Sequence, residues 1–151
     1  MQNHKTKSKM KSVKISRHVS VDASAIWNIV RTGNGVEKWF PIIASCDLKG
    51  TGPGAKRVCV TQDGQTLEET IVSIDEQNRE FVLRIDKQSI MPITDIINRL
   101  SVSDANGGAQ VDWIAEFELA DETMSGAIEQ GLSDLYVMGI KGLEAATRSN
   151  M

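Results

Sequence analysis

The C-terminal segment constrains the fold most, because it is the one part of the chain that predicts a long helix. From about 121 to 148, apolar or small residues recur every three or four positions, as on one face of an amphipathic helix. At 1.5 Å per residue, this helix would be on the order of 40 Å long, which is enough to cross a small sheet. The residues on its apolar face are Met124, Ile128, Leu132, Leu135, Gly139 and Leu143.

Four glycines fall within this helical segment, at positions 126, 131, 139 and 142. Each costs roughly 1 kcal/mol relative to alanine in a helix. Four of them therefore suggest a role in packing. We expect these positions to let a strand or a ligand approach the helix closely.

The middle of the chain, from 42 to 119, predicts strands and no helix. Turn sequences such as Asp-Gly at 63–64 and Asn-Gly-Gly at 106–108 separate its apolar runs. Because short turns join the strands, they should form an antiparallel meander. The predicted strands are 44–49, 56–62, 66–75, 80–86, 94–103 and 109–119.

Another strand and two short helices precede this meander. Residues 13–21 alternate between apolar and polar positions, which indicates a half-buried strand. Residues 23–30 have helical spacing, and residues 36–40 allow one more helical turn before Pro41 ends it. A single domain over 13–148 therefore has seven strands and one long helix to cover them.

The N-terminus, residues 1–12, is predicted to be a basic flexible tail. No apolar stretch of about 7–15 residues follows it as in a signal peptide, so we expect a cytoplasmic protein. The net charge of −3 and hydrophobic content of 40% give no general sign of nucleic-acid binding. No run approaches the roughly 20 apolar residues of a membrane span. The sequence leaves the oligomeric state open.

The two cysteines, Cys46 and Cys59, do not form a CxxC pair or lie near a histidine that could complete a metal site. We therefore expect buried free thiols, no metal site and no cofactor. The positions of the two histidines, His4 and His18, do not indicate a Ser/His/Asp or Cys/His catalytic group.

Several short sequence marks occur in an order that resembles the START-like (helix-grip, SRPBCC) superfamily, in its polyketide cyclase/dehydrase and lipid-transport branch. The resemblance implies an α+β helix-grip fold: a seven-stranded curved antiparallel sheet, two short helices and a long C-terminal helix enclosing a cavity. Relatives use the cavity for lipids, hormones or polyketides, as carriers, sensors or enzymes. The marks are VDAS at 21–24, WFP at 39–41, GPGAKR at 52–57, LEE at 67–69 and the closing helix.

Three polar residues stand out on the strands that would face the cavity. By the resemblance, Glu69 matches a position where hormone-binding members place a carboxylate inside the pocket. Arg57 on the neighbouring strand is its natural partner, and Asn98 offers a donor and an acceptor deeper in the pocket. A structural ion pair, or a hydrogen bond to backbone or water, explains these residues equally well. The apolar candidates, which core packing also explains, are Trp39, Leu83, Trp113, Phe117, Leu132, Leu135 and Gly139.

Two functions remain open at this point. The first is the binding of a small hydrophobic ligand, such as a lipid or polyketide, for transport or sensing. The alternative is a polyketide cyclase or dehydratase-like enzyme that uses Glu69 as the acid/base, while Arg57 or Asn98 polarises a carbonyl. Tyr136 is the remaining candidate for chemistry. The expected partner is therefore a small apolar molecule.

Overall fold

The computed structural model describes residues 10–150 and contains one seven-stranded antiparallel sheet with a long helix across it. The strand order is β1-β7-β6-β5-β4-β3-β2, so β1 and β2 form the two edges. This arrangement confirms the predicted α+β helix-grip fold. The elements are β1 (Met10–Val19), α1 (Ala23–Val30), β2 (Ile43–Lys49), β3 (Lys56–Thr61), β4 (Thr66–Asp75), β5 (Glu80–Lys87), β6 (Ile93–Ala105), β7 (Gly108–Leu119) and α2 (Ser125–Ser149).

The N-terminal boundary differs from the prediction. β1 begins at Met10, so residues 10–12 of the predicted tail belong to the sheet. They pair with the far end of β7, where Met10 lies opposite Glu118. The length of the partner strand decides where β1 starts, and the Met-Lys-Ser sequence of residues 10–12 does not show it. Residues 1–9, the rest of the predicted tail, lie outside the described residues.

The sheet curves around α2 because its strands carry bulges. The register of β4 against β5 shifts at Glu68/Glu69 and again between Ile71 and Ser73. In β6 it shifts between Thr94 and Ile97, and Asp95 there has a φ of 54°. A bulge bends its strand and increases the local twist. The concave face that results is the one that α2 covers.

Two of the four helix glycines bring α2 into close contact with aromatic residues. A Cβ at Gly142 would lie 1.7 Å from the backbone oxygen of Trp39, and one at Gly139 would lie 2.6 Å from the Trp113 ring. Gly126, in contrast, has nothing within 4 Å of that position. The expected packing role therefore applies most strongly to Gly139, which approaches a side chain, and to Gly142, which approaches a loop. A Cβ at Gly131 would lie 3.2 Å from the end of the Met91 side chain.

The buried face of α2 differs in part from the predicted one. Ile128, Leu132 and Leu143 are buried as expected, and Tyr136 and Ile140 join them. Met124 precedes α2, in a short 3-10 turn, and it is 37% exposed. The buried stripe advances by four residues from 128 to 140, because a helix has 3.6 residues per turn.

Among residues 10–150, every helix is too short or too polar to span a membrane.

The prediction of free thiols is wrong, because Cys46 and Cys59 form a disulfide. The two residues lie directly opposite each other on β2 and β3, with their Cα atoms 4.0 Å apart. Cys59 is buried and Cys46 is half-buried. The register of two neighbouring strands brings them together, and neither cysteine has a local motif that reveals it.

We expect Gly142→Ala to lower the free energy of unfolding by about 1–3 kcal/mol, because the added methyl group overlaps the Trp39 carbonyl. Gly126→Ala is the matched control, since it adds the same methyl group in open space. It should stabilise the protein by up to about 1 kcal/mol through helix propensity. Urea unfolding curves of both variants measure the difference. Equal effects would contradict the proposed close contact.

Candidate functional site

A cavity lies between the concave face of the sheet, α2 and the segment that joins β5 to β6. Its volume is about 120 Å³, which is below the roughly 300–1,000 Å³ of typical small-molecule pockets. Its wall is mostly aliphatic and aromatic, with a few polar side chains. The cavity therefore has room for a small molecule, and a larger one requires wall residues to move.

Most of the residues predicted to bind a ligand do line this cavity. Eight of the ten contribute to its wall: Trp39, Arg57, Glu69, Leu83, Asn98, Trp113, Leu132 and Leu135. Alternation along the strands places Arg57, Glu69, Leu83, Asn98 and Trp113 on the concave face, whereas Leu132 and Leu135 face the cavity from α2 and Trp39 from the segment before β2. Lining the wall is the geometric condition for binding, and the binding role itself stays a prediction.

Phe117 and Gly139 do not line the cavity, so their placement in its wall was wrong. Phe117 is buried on the same face of β7 as Trp113, but it lies four residues further along the strand. At about 3.4 Å per residue, that separation is roughly 14 Å. Gly139 packs against the ring of Trp113, and Trp113 is the residue that lines the cavity.

The segment between β5 and β6 contributes wall residues that the sequence did not identify. Ile90 and Met91 line the cavity, and Gln88 holds their backbone in place. Its Nε2 donates to the carbonyl oxygens of Met91 (2.8 Å) and Ile93 (3.0 Å), while its Oε1 accepts from the backbone N–H of Ile90 (2.8 Å). The sequence signal that could have identified this part of the wall is the pair of neighbouring apolar residues, Ile90 and Met91, in a connecting segment.

The main polar feature of the wall is an ion pair between Arg57 and Glu69. The residues lie opposite each other on β3 and β4, and Arg57 Nε donates to Glu69 Oε1 at 2.6 Å. Arg57 also donates from a terminal nitrogen to the backbone oxygen of Gly33 at 2.7 Å. Both side chains are buried, with 7% and 9% of their surface exposed. The sequence predicted this pair from strand adjacency.

Burial affects the ionisation of Glu69. It raises the pKa of the carboxyl group above its ordinary value, whereas the charge and the hydrogen bond of Arg57 act to lower it. Asp86 adds a smaller contribution that raises the pKa. Neutralising Glu69 would leave the Arg57 charge without its counter-ion, so the two groups are coupled.

Asn98 holds a fixed orientation in the wall. The Trp113 indole Nε1 donates to Asn98 Oδ1 at 2.7 Å, and an indole N–H can only donate. The amide nitrogen Nδ2 therefore points the other way. It is buried and has no hydrogen-bond partner among residues 10–150. Leaving a buried donor unpaired costs about 1–3 kcal/mol.

Tyr136 completes the polar group from the side of α2. Its ring stacks on Trp113, with the centroids 4.5 Å apart. Burial raises the pKa of its hydroxyl well above the ordinary tyrosine value, and the negative charge of Glu69 adds to the rise. Asn98 lies near enough to oppose that rise, although its Nδ2 does not reach hydrogen-bond geometry. Tyr136 therefore remains a neutral hydroxyl.

The remaining candidates for chemistry in the described part of the chain are a metal site, the cysteine near Glu69 and His18. No group of three His, Cys, Asp or Glu side chains there could hold a metal ion. Cys59 Sγ lies 3.8 Å from Glu69 Oε1, but a disulfide sulfur has no hydrogen to donate. His18 is exposed on β1, where its Nε2 lies 3.1 Å from the backbone oxygen of Asn106.

The family becomes clear once this architecture is compared with known proteins. The model for the family described as polyketide cyclase / dehydrase and lipid transport matches residues 10–147. The chain belongs to this family. Its START-like fold, expected from the sequence, is thereby confirmed. No curated protein sequence matches the chain.

Solved structures share the fold at low sequence identity. An uncharacterised protein of Bacillus thuringiensis is 20% identical, with a TM-score of 0.79 over 91% of this chain and 98% of its own. The major latex-like protein 151 of Panax ginseng is 17% identical, with a TM-score of 0.76 and coverages of 91% and 97%. Norcoclaurine synthase of Thalictrum flavum, in complex with dopamine and hydroxybenzaldehyde, is 11% identical, with a TM-score of 0.75 and coverages of 100% and 95%.

We expect Arg57→Met to lower the free energy of unfolding by about 3–5 kcal/mol, because it leaves Glu69 buried without a counter-charge. The double variant Arg57→Met with Glu69→Leu should recover most of that loss. Arg31→Met, which breaks the exposed pair with Glu76, is the control and should have a much smaller effect. Chemical denaturation measures all three. An Arg57→Met effect no larger than that of Arg31→Met would contradict a buried pair.

The raised pKa of Glu69 predicts the sign of a pH effect. Over the range from the ordinary glutamate pKa to the raised one, the folded protein keeps a proton that the unfolded chain has released. Wild type should therefore lose stability relative to Glu69→Gln as the pH rises through this range. Glu76→Gln should show the opposite trend, because the hydrogen bond from Arg31 lowers the pKa of Glu76. Denaturation from about pH 2 to pH 8 measures both differences, because the Glu76 difference develops below the ordinary glutamate pKa of about 4.3 and the Glu69 difference above it. If wild type instead gained stability relative to Glu69→Gln, Arg57 would outweigh burial.

Proposed function

We propose that this protein binds a small hydrophobic molecule in the cavity between its sheet and α2. The observation that carries the proposal is the composition of the cavity wall. The wall is apolar except for a small group of polar residues, of which the charged ones, Arg57 and Glu69, neutralise each other. Removing apolar surface from water is favourable by about 25 cal/mol per Å². A hydrophobic ligand therefore matches this wall better than a charged one.

The volume of the cavity favours a ligand with one ring or a short chain. Ligands the size of a lipid or a polyketide need more space than about 120 Å³. That space can come from the wall residues Met91 and Leu135, because methionine has three flexible bonds and Leu135 is only half-buried. Transport or sensing of such a ligand is the role that we propose.

The structural relatives are compatible with this proposal. The norcoclaurine synthase structure holds dopamine and hydroxybenzaldehyde, which are both small aromatic molecules. Its low identity to this chain makes the likeness one of fold, and a shared fold does not imply a shared ligand. The proposal therefore depends on the residues of this cavity.

An enzymatic function is the alternative, and it rests on Glu69. Its raised pKa suits a group that moves a proton, and Asn98 and Tyr136 offer donors that could polarise a carbonyl. However, Arg57 already occupies one carboxylate oxygen at 2.6 Å. If Glu69→Gln left turnover of a bound ketone substrate unchanged, the acid/base mechanism would fail.

The expected cytoplasmic location remains a prediction. The Cys46–Cys59 disulfide bears against it, because disulfides persist mainly in oxidising compartments and are rare in the cytosol.

Binding can be tested with a panel of small apolar molecules such as benzene, toluene and short-chain fatty alcohols. At a hundred times its dissociation constant, a ligand should stabilise the protein by about 2.7 kcal/mol, seen as a rise in Tm. Leu83→Trp, which fills the cavity, should abolish the rise. Val72→Trp should keep it, because Val72 is exposed and does not line the cavity.

Two-dimensional NMR of the wild-type protein keeps the test independent of the variants. Binding in the cavity should shift the methyl signals of Leu83 and Leu132 and leave those of Val72 unchanged. Absence of both a Tm change and methyl shifts across the panel would overturn the proposed function.

A further inference from the structure

The hydrogen bond from Trp113 determines which way the amide group of Asn98 is oriented. Trp113 Nε1 lies 2.7 Å from Asn98 Oδ1, and the reversed amide would set two donors against each other. Asn98 is 7% exposed and its strand neighbour across β7 is Ala115, which has no polar side-chain atom. The N–H₂ group of Asn98 is therefore directed into the protein interior.

The Nδ2 atom of Asn98 is a donor without an acceptor. Of the buried side-chain nitrogen and oxygen atoms in residues 10–150, only this one and an oxygen of Glu37 make no hydrogen bond. Glu37 is not part of the cavity wall, whereas Asn98 is. Buried amides are normally satisfied. An unsatisfied donor at a cavity wall is therefore a place where a ligand acceptor gains a bond without displacing an existing one.

The hydroxyl of Tyr136 lies beside this donor. Tyr136 lines the cavity, and Asn98 is close enough to its hydroxyl to influence the hydroxyl pKa. This hydroxyl is a second neutral donor, and one carbonyl oxygen has two lone pairs to accept from both. The charged groups of the wall offer less, because Arg57 and Glu69 are already paired with each other at 2.6 Å.

We propose that the cavity selects neutral apolar molecules that carry one hydrogen-bond-accepting oxygen, and that Asn98 Nδ2 receives this oxygen with the Tyr136 hydroxyl beside it. The inference rests on the proposed function and makes it more specific. A cationic ligand would find no unpaired carboxylate in the wall, because Glu69 is paired with Arg57. A pure hydrocarbon would leave the Asn98 donor unsatisfied. Ketones and related oxygen acceptors are the class that fits both conditions.

Acetophenone and α-methylstyrene test this selectivity, because they have nearly the same shape and differ in C=O against C=CH₂. Binding of acetophenone to wild type should shift the side-chain N–H₂ signals of Asn98 in ¹⁵N NMR. α-Methylstyrene should shift the neighbouring methyl signals and leave the Asn98 signals nearly unchanged. This measurement needs no variant.

Asn98→Asp removes the N–H₂ donor while keeping the contact with Trp113, since one carboxyl oxygen still accepts from the indole. The comparison is made at about pH 9, where the buried carboxyl group is ionised and has no hydrogen to donate. The affinity for acetophenone relative to α-methylstyrene should fall by about tenfold in this variant, the value of one hydrogen bond. Asn28→Asp is the matched control on the exposed side of α1 and should leave that ratio unchanged.

The outcomes separate this inference from the proposed function. If both probes bind wild type and the Asn98 amide signals respond equally to each, the acceptor selectivity is overturned while hydrophobic binding stands. An unchanged affinity ratio in Asn98→Asp has the same meaning. If neither probe nor any member of the apolar panel binds, the proposed function fails and the inference fails with it.

Discussion

The close approach of α2 to two tryptophans is the contact on which the rest of the structure depends. Gly142 lets the helix meet the backbone oxygen of Trp39, and Gly139 lets it meet the Trp113 ring. Trp113 is thereby held between the sheet and the helix, where it stacks on Tyr136 and donates to Asn98. One packing contact thus fixes the position of the helix, the width of the cavity and the direction of a polar group in its wall.

The polar side chains of the cavity wall need partners, because the interior around them is apolar. A buried charge is costly unless it is paired, and Arg57 and Glu69 meet that condition with each other. Their pairing leaves the wall with no net charge. The neutral donor of Asn98 then stands out, because it is buried and lacks an acceptor within the described residues. In this wall, therefore, an uncharged group provides the strongest signal for ligand recognition.

Membership of the polyketide cyclase / dehydrase and lipid transport family defines the architecture and leaves the chemistry open. Proteins of this fold with 11–20% identity include a plant synthase and a major latex-like protein. The functional argument for this chain therefore rests on the residues that its own curved sheet brings together. The bulges in β4 and β6 contribute to that curvature, and so to the distance between the wall residues.

The sequence by itself determined the elements and the faces of the strands. Alternation places Leu83 and Asn98 on the concave side, and helical spacing predicts α2, because both patterns are local and repeat within a few residues. The Arg57–Glu69 pair was predicted from the adjacency of two consecutive strands together with the family resemblance of the Glu69 position. Seven of the eight predicted residues that do line the wall lie on strands or on α2, where local periodicity indicates the face.

Only the tertiary structure decided the features that depend on register and on distance along an element. It pairs Cys46 with Cys59 across two strands, and it places Phe117 roughly 14 Å beyond Trp113 on the same face. It also turns the Asn98 amide, since the partner that fixes it lies 15 residues away on β7. Periodicity shows which face a residue occupies, but contacts between distant segments decide what the residue meets there.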